Sequence, residues 1–202
     1  MPALSTTDRS LTHHQRTVAT IGIFGGSFNP VHYGHIRLAQ AVADSGAVDS
    51  VWLTLSPANP LKEHPEELIS DADRWAMLQL AVENHPALHA CDVELTMPRP
   101  SYTIDTLTKL SHDFPQHKFR LMIGADNMLI FDKWKNHDEI LTRFSPIVYP
   151  RPGYECEVCD NSLPTFDVSS TEIRRAIAAG LPANNLLPEK VYNYILSRNL
   201  YK

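Results

Sequence analysis

The chain has 202 residues, enough for one domain with a sizeable core and at most a small appended subdomain. Apolar residues make up 43% and charged residues 20%, the proportions of an ordinary globular protein. A formal net charge of −5 argues against a broad nucleic-acid surface, while a small anionic substrate needs only a local cluster of donors and cations.

Residues 1–16 are polar and lack an apolar h-region, so they read as a flexible tail and not as a signal peptide. Residues 17–202 read as one domain. Val18, Ile21, Ile23 and Phe24 predict a buried strand, and beyond Gly25–His35 the residues Ile36, Ala39, Val42 and Ala43 recur at helical spacing. Val51–Leu55 predicts a second strand ending at Ser56-Pro57, followed by a Pro-, Asn- and Glu-rich loop over 57–69. Ser70 caps a helix with Trp75, Leu78, Ala81 and Val82 on one face, ending near His85-Pro86. Leu88–Leu95 reads as a strand with imperfect alternation, and Ile104, Leu107 and Leu110 mark another helix. Phe119–Ile123 is a strand stopping at Gly124, Met128–Phe131 starts a short helix, and Ile147–Tyr149 is a strand broken by Pro150 and Pro152. Leu186–Lys202 is an amphipathic helix opened by Pro188, with Val191, Tyr194 and Ile195 inward.

This rhythm predicts an α/β fold, a Rossmann-like, doubly wound parallel sheet with helices on both faces. A small helical part at about 168–202 completes it. Ligands of such sheets bind beyond the carboxyl ends of the strands, and Gly25 and Gly124 both stand where strands finish. No stretch has the apolar length to cross a bilayer.

The densest run is Gly25-Gly26-Ser27-Phe28-Asn29-Pro30-Val31-His32-Tyr33-Gly34-His35. A glycine turn between a strand end and a helix start presents unpaired N–H groups and the positive dipole end, a setting that favours phosphate. Neither Rossmann nor P-loop glycine spacing is present. His32 and His35 stand three apart and share a face of a first helical turn, suited to stabilising phosphoryl charge. Half a metal site is the other reading, but nothing nearby completes one. Near the C-terminus, Ser169 and Glu172 form a capping box, and Ser169, Ser170, Thr171 and Arg174 offer hydroxyls and a guanidinium at a helix start. In isolation a plain well-capped helix is the better explanation of that run; Arg175 points elsewhere, as surface charge. Cys156 and Cys159 form a C-x-x-C without redox or zinc context, and the odd total of three cysteines points to a reducing cytoplasm.

The first run resembles the GGSF(D/N)P-x-H-x-GH signature of the nucleotidyltransferase superfamily, and Val168–Arg174 resembles the ISSTxIR signature that closes its site. Between them, Pro98-Arg99-Pro100-Ser101-Tyr102-Thr103, Ile123-Gly124-Ala125-Asp126, Trp134 and Arg151-Pro152-Gly153 follow in order. With Leu187-Pro188, Val191, Tyr194-Ile195 and Leu200-Tyr201, the chain from about residue 19 onward is similar to bacterial nicotinate mononucleotide adenylyltransferases.

The resemblance implies adenylyl transfer from ATP to nicotinate mononucleotide, a step of NAD biosynthesis. It puts His35 and His32 at the α-phosphate and Arg174, Ser170 and Thr171 on the β- and γ-phosphates, helped by Lys62, with Ser169 also in the ATP site. Gly25, Gly26, Ser27, Phe28, Gly124 and Asp126 complete the implied ATP site; Asn29, Thr103, Trp134 and Lys135 take the pyridine nucleotide, with the indole as stacking face. Mg2+ is implied on the ATP oxygens, with no protein side chain as metal ligand. Partners are the two nucleotides, neither nucleic acid nor membrane, and a homo-oligomer stays open. Two departures stand out: Leu61 takes the place of the usual histidine before Lys62, and Asn29 replaces the commoner aspartate. A nicotinamide mononucleotide or other phosphate-bearing acceptor is the alternative, and a non-catalytic nucleotide-binding regulator the more distant one.

Overall fold

The computed structural model describes residues 18–57 and 68–202. Five strands form one parallel sheet in the order β3-β2-β1-β4-β5, with β1 at Thr20–Gly26, β2 at Ser50–Leu55, β3 at Leu88–Cys91, β4 at Lys118–Gly124 and β5 at Ile147–Tyr149. Strict alternation along the strands builds two cores. Phe24, Val51, Leu53 and Met122 meet α1 (Tyr33–Asp44) and α2 (Asp71–Val82) on one face. Ile21, Ile23, Trp52, Leu121 and Ile123 meet α3 (Thr103–Asp113) and a helix at His137–Phe144 on the other. The doubly wound α/β fold expected from the sequence is present.

Chain order reverses beside β1, which has β2 on one side and β4 on the other. The pairing Phe24↔Met122 brings Gly25-Gly26 and Ile123-Gly124 to the same rim. A crevice at such a switch point is where this sheet type takes ligands.

Several boundaries differ from the sequence reading. Val18 is 69% exposed and precedes β1. The strand at Leu88 ends at Cys91, and Val93–Thr96 coils into a 3-10 turn that buries Glu94. That turn is the origin of the imperfect alternation over Leu88–Leu95. The short helix expected at Met128–Phe131 is instead α4 (Ala125–Met128) followed by a 3-10 turn at Phe131–Lys133. α5 (His137–Phe144) was not foreseen, since only Ile140 and Phe144 are fully buried from it, one apolar pair without a repeat. Ser70 caps α2 as expected, its Oγ accepting from the Asp73 N–H at 3.0 Å. The C-terminal helices are α6 (Ser170–Ala178) and α7 (Glu189–Ser197), the latter with Pro188 at its N-cap. They bury Ile173, Ile177, Val191 and Ile195 in the core that α1 and α2 share.

Candidate active site

At the carboxyl ends of β1 and β4 opens a cavity of about 390 Å³. Gly25, Gly26 and Ser27 form one wall, Thr103, Trp134 and Lys135 another, and Gly124 and Tyr149 lie between. The two glycines are not a turn, as the sequence suggested; they are the last residues of β1, paired with Thr54 and Leu55 of β2. The turn itself is Ser27–Val31, where Phe28 holds φ at 42° and is 2% exposed. Each glycine has its own reason. A Cβ on Gly25 would meet nothing within 4 Å, so its backbone is open to a ligand, whereas one on Gly26 would strike the Phe28 ring at 2.9 Å. At Gly124 a Cβ would lie 2.4 Å from Asp126 Oδ1.

His32 is the N-cap of α1, so it precedes the first helical turn, and His35 is the third helical residue. Their rings still share a face because they stack, centroids 3.7 Å apart. The His32 N–H donates to His35 Nδ1 at 3.2 Å, so the neutral His35 ring carries its proton on Nε2. Burial, aided by the Arg151 charge, pulls the His32 pKa down to about 4, which keeps it neutral at pH 7. Its Nδ1 is buried. Both histidines line a small second pocket with Arg151, Phe166 and Tyr149, and Tyr149 borders the large cavity too. Arg151 reaches Asp126 Oδ2 at 3.3 Å, placing that aspartate beside the same rim.

The second motif approaches the first from behind. Ser170 Oγ donates to Pro30 O at 2.9 Å, and Arg174 donates to Asn29 O at 3.0 Å and to Thr171 Oγ1 at 3.4 Å. Ser169 caps α6, its Oγ accepting from the Glu172 N–H at 3.4 Å. Asn29 is 3% exposed, lines neither pocket, and accepts from the Tyr201 hydroxyl at 2.8 Å through Oδ1. That bond anchors the loop to the C-terminal segment. Phe28 is likewise buried behind the wall, packed edge-on to His35 at 5.1 Å. Trp134 packs on Phe131 at 5.3 Å, and Lys135 pairs with Asp105 at 2.9 Å. Lys62 and Leu61 lie outside the described residues.

Two residues escaped the sequence reading. Arg74 is 0% exposed, and its guanidinium donates to Ser27 O and Ser56 O, each at 2.7 Å, and to Pro57 O at 3.1 Å. It ties the loops after β1 and β2 together beneath the cavity wall, with Asp71 balancing its charge at 2.5 Å. The available signal was its helical phase, three and four residues before the buried Met77 and Leu78. Glu94, 7% exposed, also lines the cavity, and nothing in its local sequence announces it. The C-x-x-C pair packs against the second core, and among the described residues no three His, Cys, Asp or Glu side chains gather as a metal site.

A glycine-ended strand beside paired histidines at a switch-point cavity is the arrangement of a nucleotidyltransferase. The model of the cytidylyltransferase-like family matches residues 23–176. A probable nicotinate-nucleotide adenylyltransferase of Cytophaga hutchinsonii is 39% identical over 188 residues, covering 90% of this chain and 97% of its own. One of Bacteroides thetaiotaomicron is 41% identical over 183 residues, with 86% and 89% covered. The chain belongs to this cytidylyltransferase-like family, in its bacterial nicotinate-nucleotide adenylyltransferase branch. Its fold matches that of the Plasmodium falciparum nicotinic acid mononucleotide adenylyltransferase solved with NaAD, at TM-score 0.72 and 19% identity, over 90% of this chain and 97% of that one.

Proposed function

We propose that this chain transfers the adenylyl group of ATP to nicotinate mononucleotide, giving nicotinate adenine dinucleotide and pyrophosphate. The observation that carries this reading is the adjacency of a phosphate-suited β1 end with stacked histidines and a cavity walled by Thr103 and Trp134. The mononucleotide phosphate, with a second pKa of about 6, is largely dianionic at pH 7 and needs no general base. Its oxygen attacks the α-phosphorus, the bond to the β-phosphate oxygen breaks, and pyrophosphate leaves with that electron pair. The remaining work is alignment and charge stabilisation. His35 donates from Nε2 to the α-phosphate, in the tautomer that the His32 N–H enforces. The start of α6 lies against the same loop through Ser170 and Arg174, and in this reading Ser170, Thr171 and Arg174 hold the outer phosphates.

Magnesium accompanies the ATP, since it binds mainly through phosphate oxygens and water. The chain's part is to hold the phosphates. Its setting is the cytoplasm, in keeping with three free thiols.

Pyrophosphate release with ATP and a panel of mononucleotides tests the reading. Backbone N–H groups near Thr103 and Lys135 pair with a carboxylate and oppose an amide NH₂. One or two charged hydrogen bonds imply a preference for the acid of about tenfold to a thousandfold. Equal kcat/KM for nicotinate and nicotinamide mononucleotides would reject the nicotinate assignment and leave adenylyl transfer standing.

A further inference from the structure

Among the described residues lining the main cavity Glu94 is the one acidic side chain, and the cations there, Lys133 and Lys135, are exposed. Its carboxylate accepts from Ser56 Oγ at 2.8 Å and Ser101 Oγ at 2.9 Å on Oε2, and from Thr106 Oγ1 at 3.1 Å on Oε1. All three donors are neutral hydroxyls. Among the described residues no Lys, Arg or His forms an ion pair with it, whereas nearby Arg74 pairs with Asp71 and Asp126 with Arg151. A carboxylate taken out of water without a cation is costly, and burial raises the Glu94 pKa against the opposing pull of the three hydroxyls. The charge it lacks is one that a ligand can bring.

We propose that Glu94 is the counter-charge for a quaternary pyridinium ring in this cavity, and so selects mononucleotides whose base carries a positive charge. This rests on the nicotinate mononucleotide reading above. In that substrate the ring nitrogen bonded to ribose carries a fixed positive charge, the only one on either nucleotide. Glu94 shares the cavity with Trp134, and its partner Ser101 lies two residues before Thr103, so its carboxylate belongs to the pyridine end. A zwitterionic head group thus meets a buried anion for its ring and peripheral donors for its carboxylate. An uncharged ring of the same shape leaves Glu94 buried and uncompensated.

The test is calorimetric binding of the full chain to nicotinate mononucleotide and to the C-riboside isostere in which a benzene ring replaces the pyridinium. Wild type should prefer the charged ring by about tenfold or more, as one close charge pair in a site shielded from water implies. Glu94→Gln should bring the two affinities to within about twofold, mainly by weakening the pyridinium ligand, with ATP affinity unchanged. Glu94→Asp should keep the preference. Equal wild-type affinities would overturn the proposal, whether or not the variants fold. So would a Glu94→Gln chain that weakens both ligands by one factor, the mark of a strut between loops. Failure to release pyrophosphate from ATP would reject the adenylyl-transfer reading instead, because the binding ratio needs no turnover.

Discussion

His32 and His35 stack with ring planes 28° from parallel, and the backbone of the first fixes the tautomer of the second. Two imidazolium rings at 3.7 Å would repel. Burial keeps His32 neutral, so the stack persists at the pH where His35 must donate.

His35→Ala should lower turnover by about two to three orders of magnitude, the usual cost of one preorganised donor at developing charge. Nucleotide affinity should change far less. Single-turnover pyrophosphate release checks this, and a fully active variant would sink the role assigned to His35.

Folded His32 titrates at about 4 where an exposed imidazole titrates near 6.5, so the unfolded chain binds the extra proton between those values. The resulting stability is fully present above pH 6.5 and is lost as pH falls towards 4, about 3 kcal/mol across the window. His32→Gln should flatten that part of the profile in urea unfolding. An unchanged slope would mean that His32 binds its proton equally well in the folded and unfolded chain.

Gly25→Ala and Gly124→Ala should separate binding from folding. The first adds a methyl where nothing lies within 4 Å, so the melting temperature should hold while mononucleotide KM rises. The second drives a methyl to 2.4 Å from Asp126 Oδ1 and 3.1 Å from the Tyr149 ring, and should cost about 1–3 kcal/mol of stability. Equal melting points for the two variants would contradict this packing.

Arg174→Ala should raise the ATP KM and also destabilise the chain modestly, since the guanidinium holds the Asn29 carbonyl. One charge-assisted hydrogen bond is worth about 1.5–3 kcal/mol. If ATP KM and turnover both stay put, α6 is a capped helix that braces the loop and nothing more.

Much of this protein was legible in the chain itself. Apolar periodicity marked all five strands, because inward residues must recur at the spacing of the element that carries them. Ser70 and Ser169 announced their helices because a cap bonds within three residues of itself. The Gly25–His35 run announced the passage from the end of β1 to the start of α1. Tertiary structure alone decided the rest. Asn29 became an anchor through Tyr201, 172 residues away, and Ser170 through Pro30, 140 residues away. Glu94 turned inward because a 3-10 turn broke the strand before it, and it found its hydroxyls on three separate segments. Periodicity states which face of an element is buried. What a polar side chain meets there depends on which segments the fold brings alongside, and no local spacing encodes that.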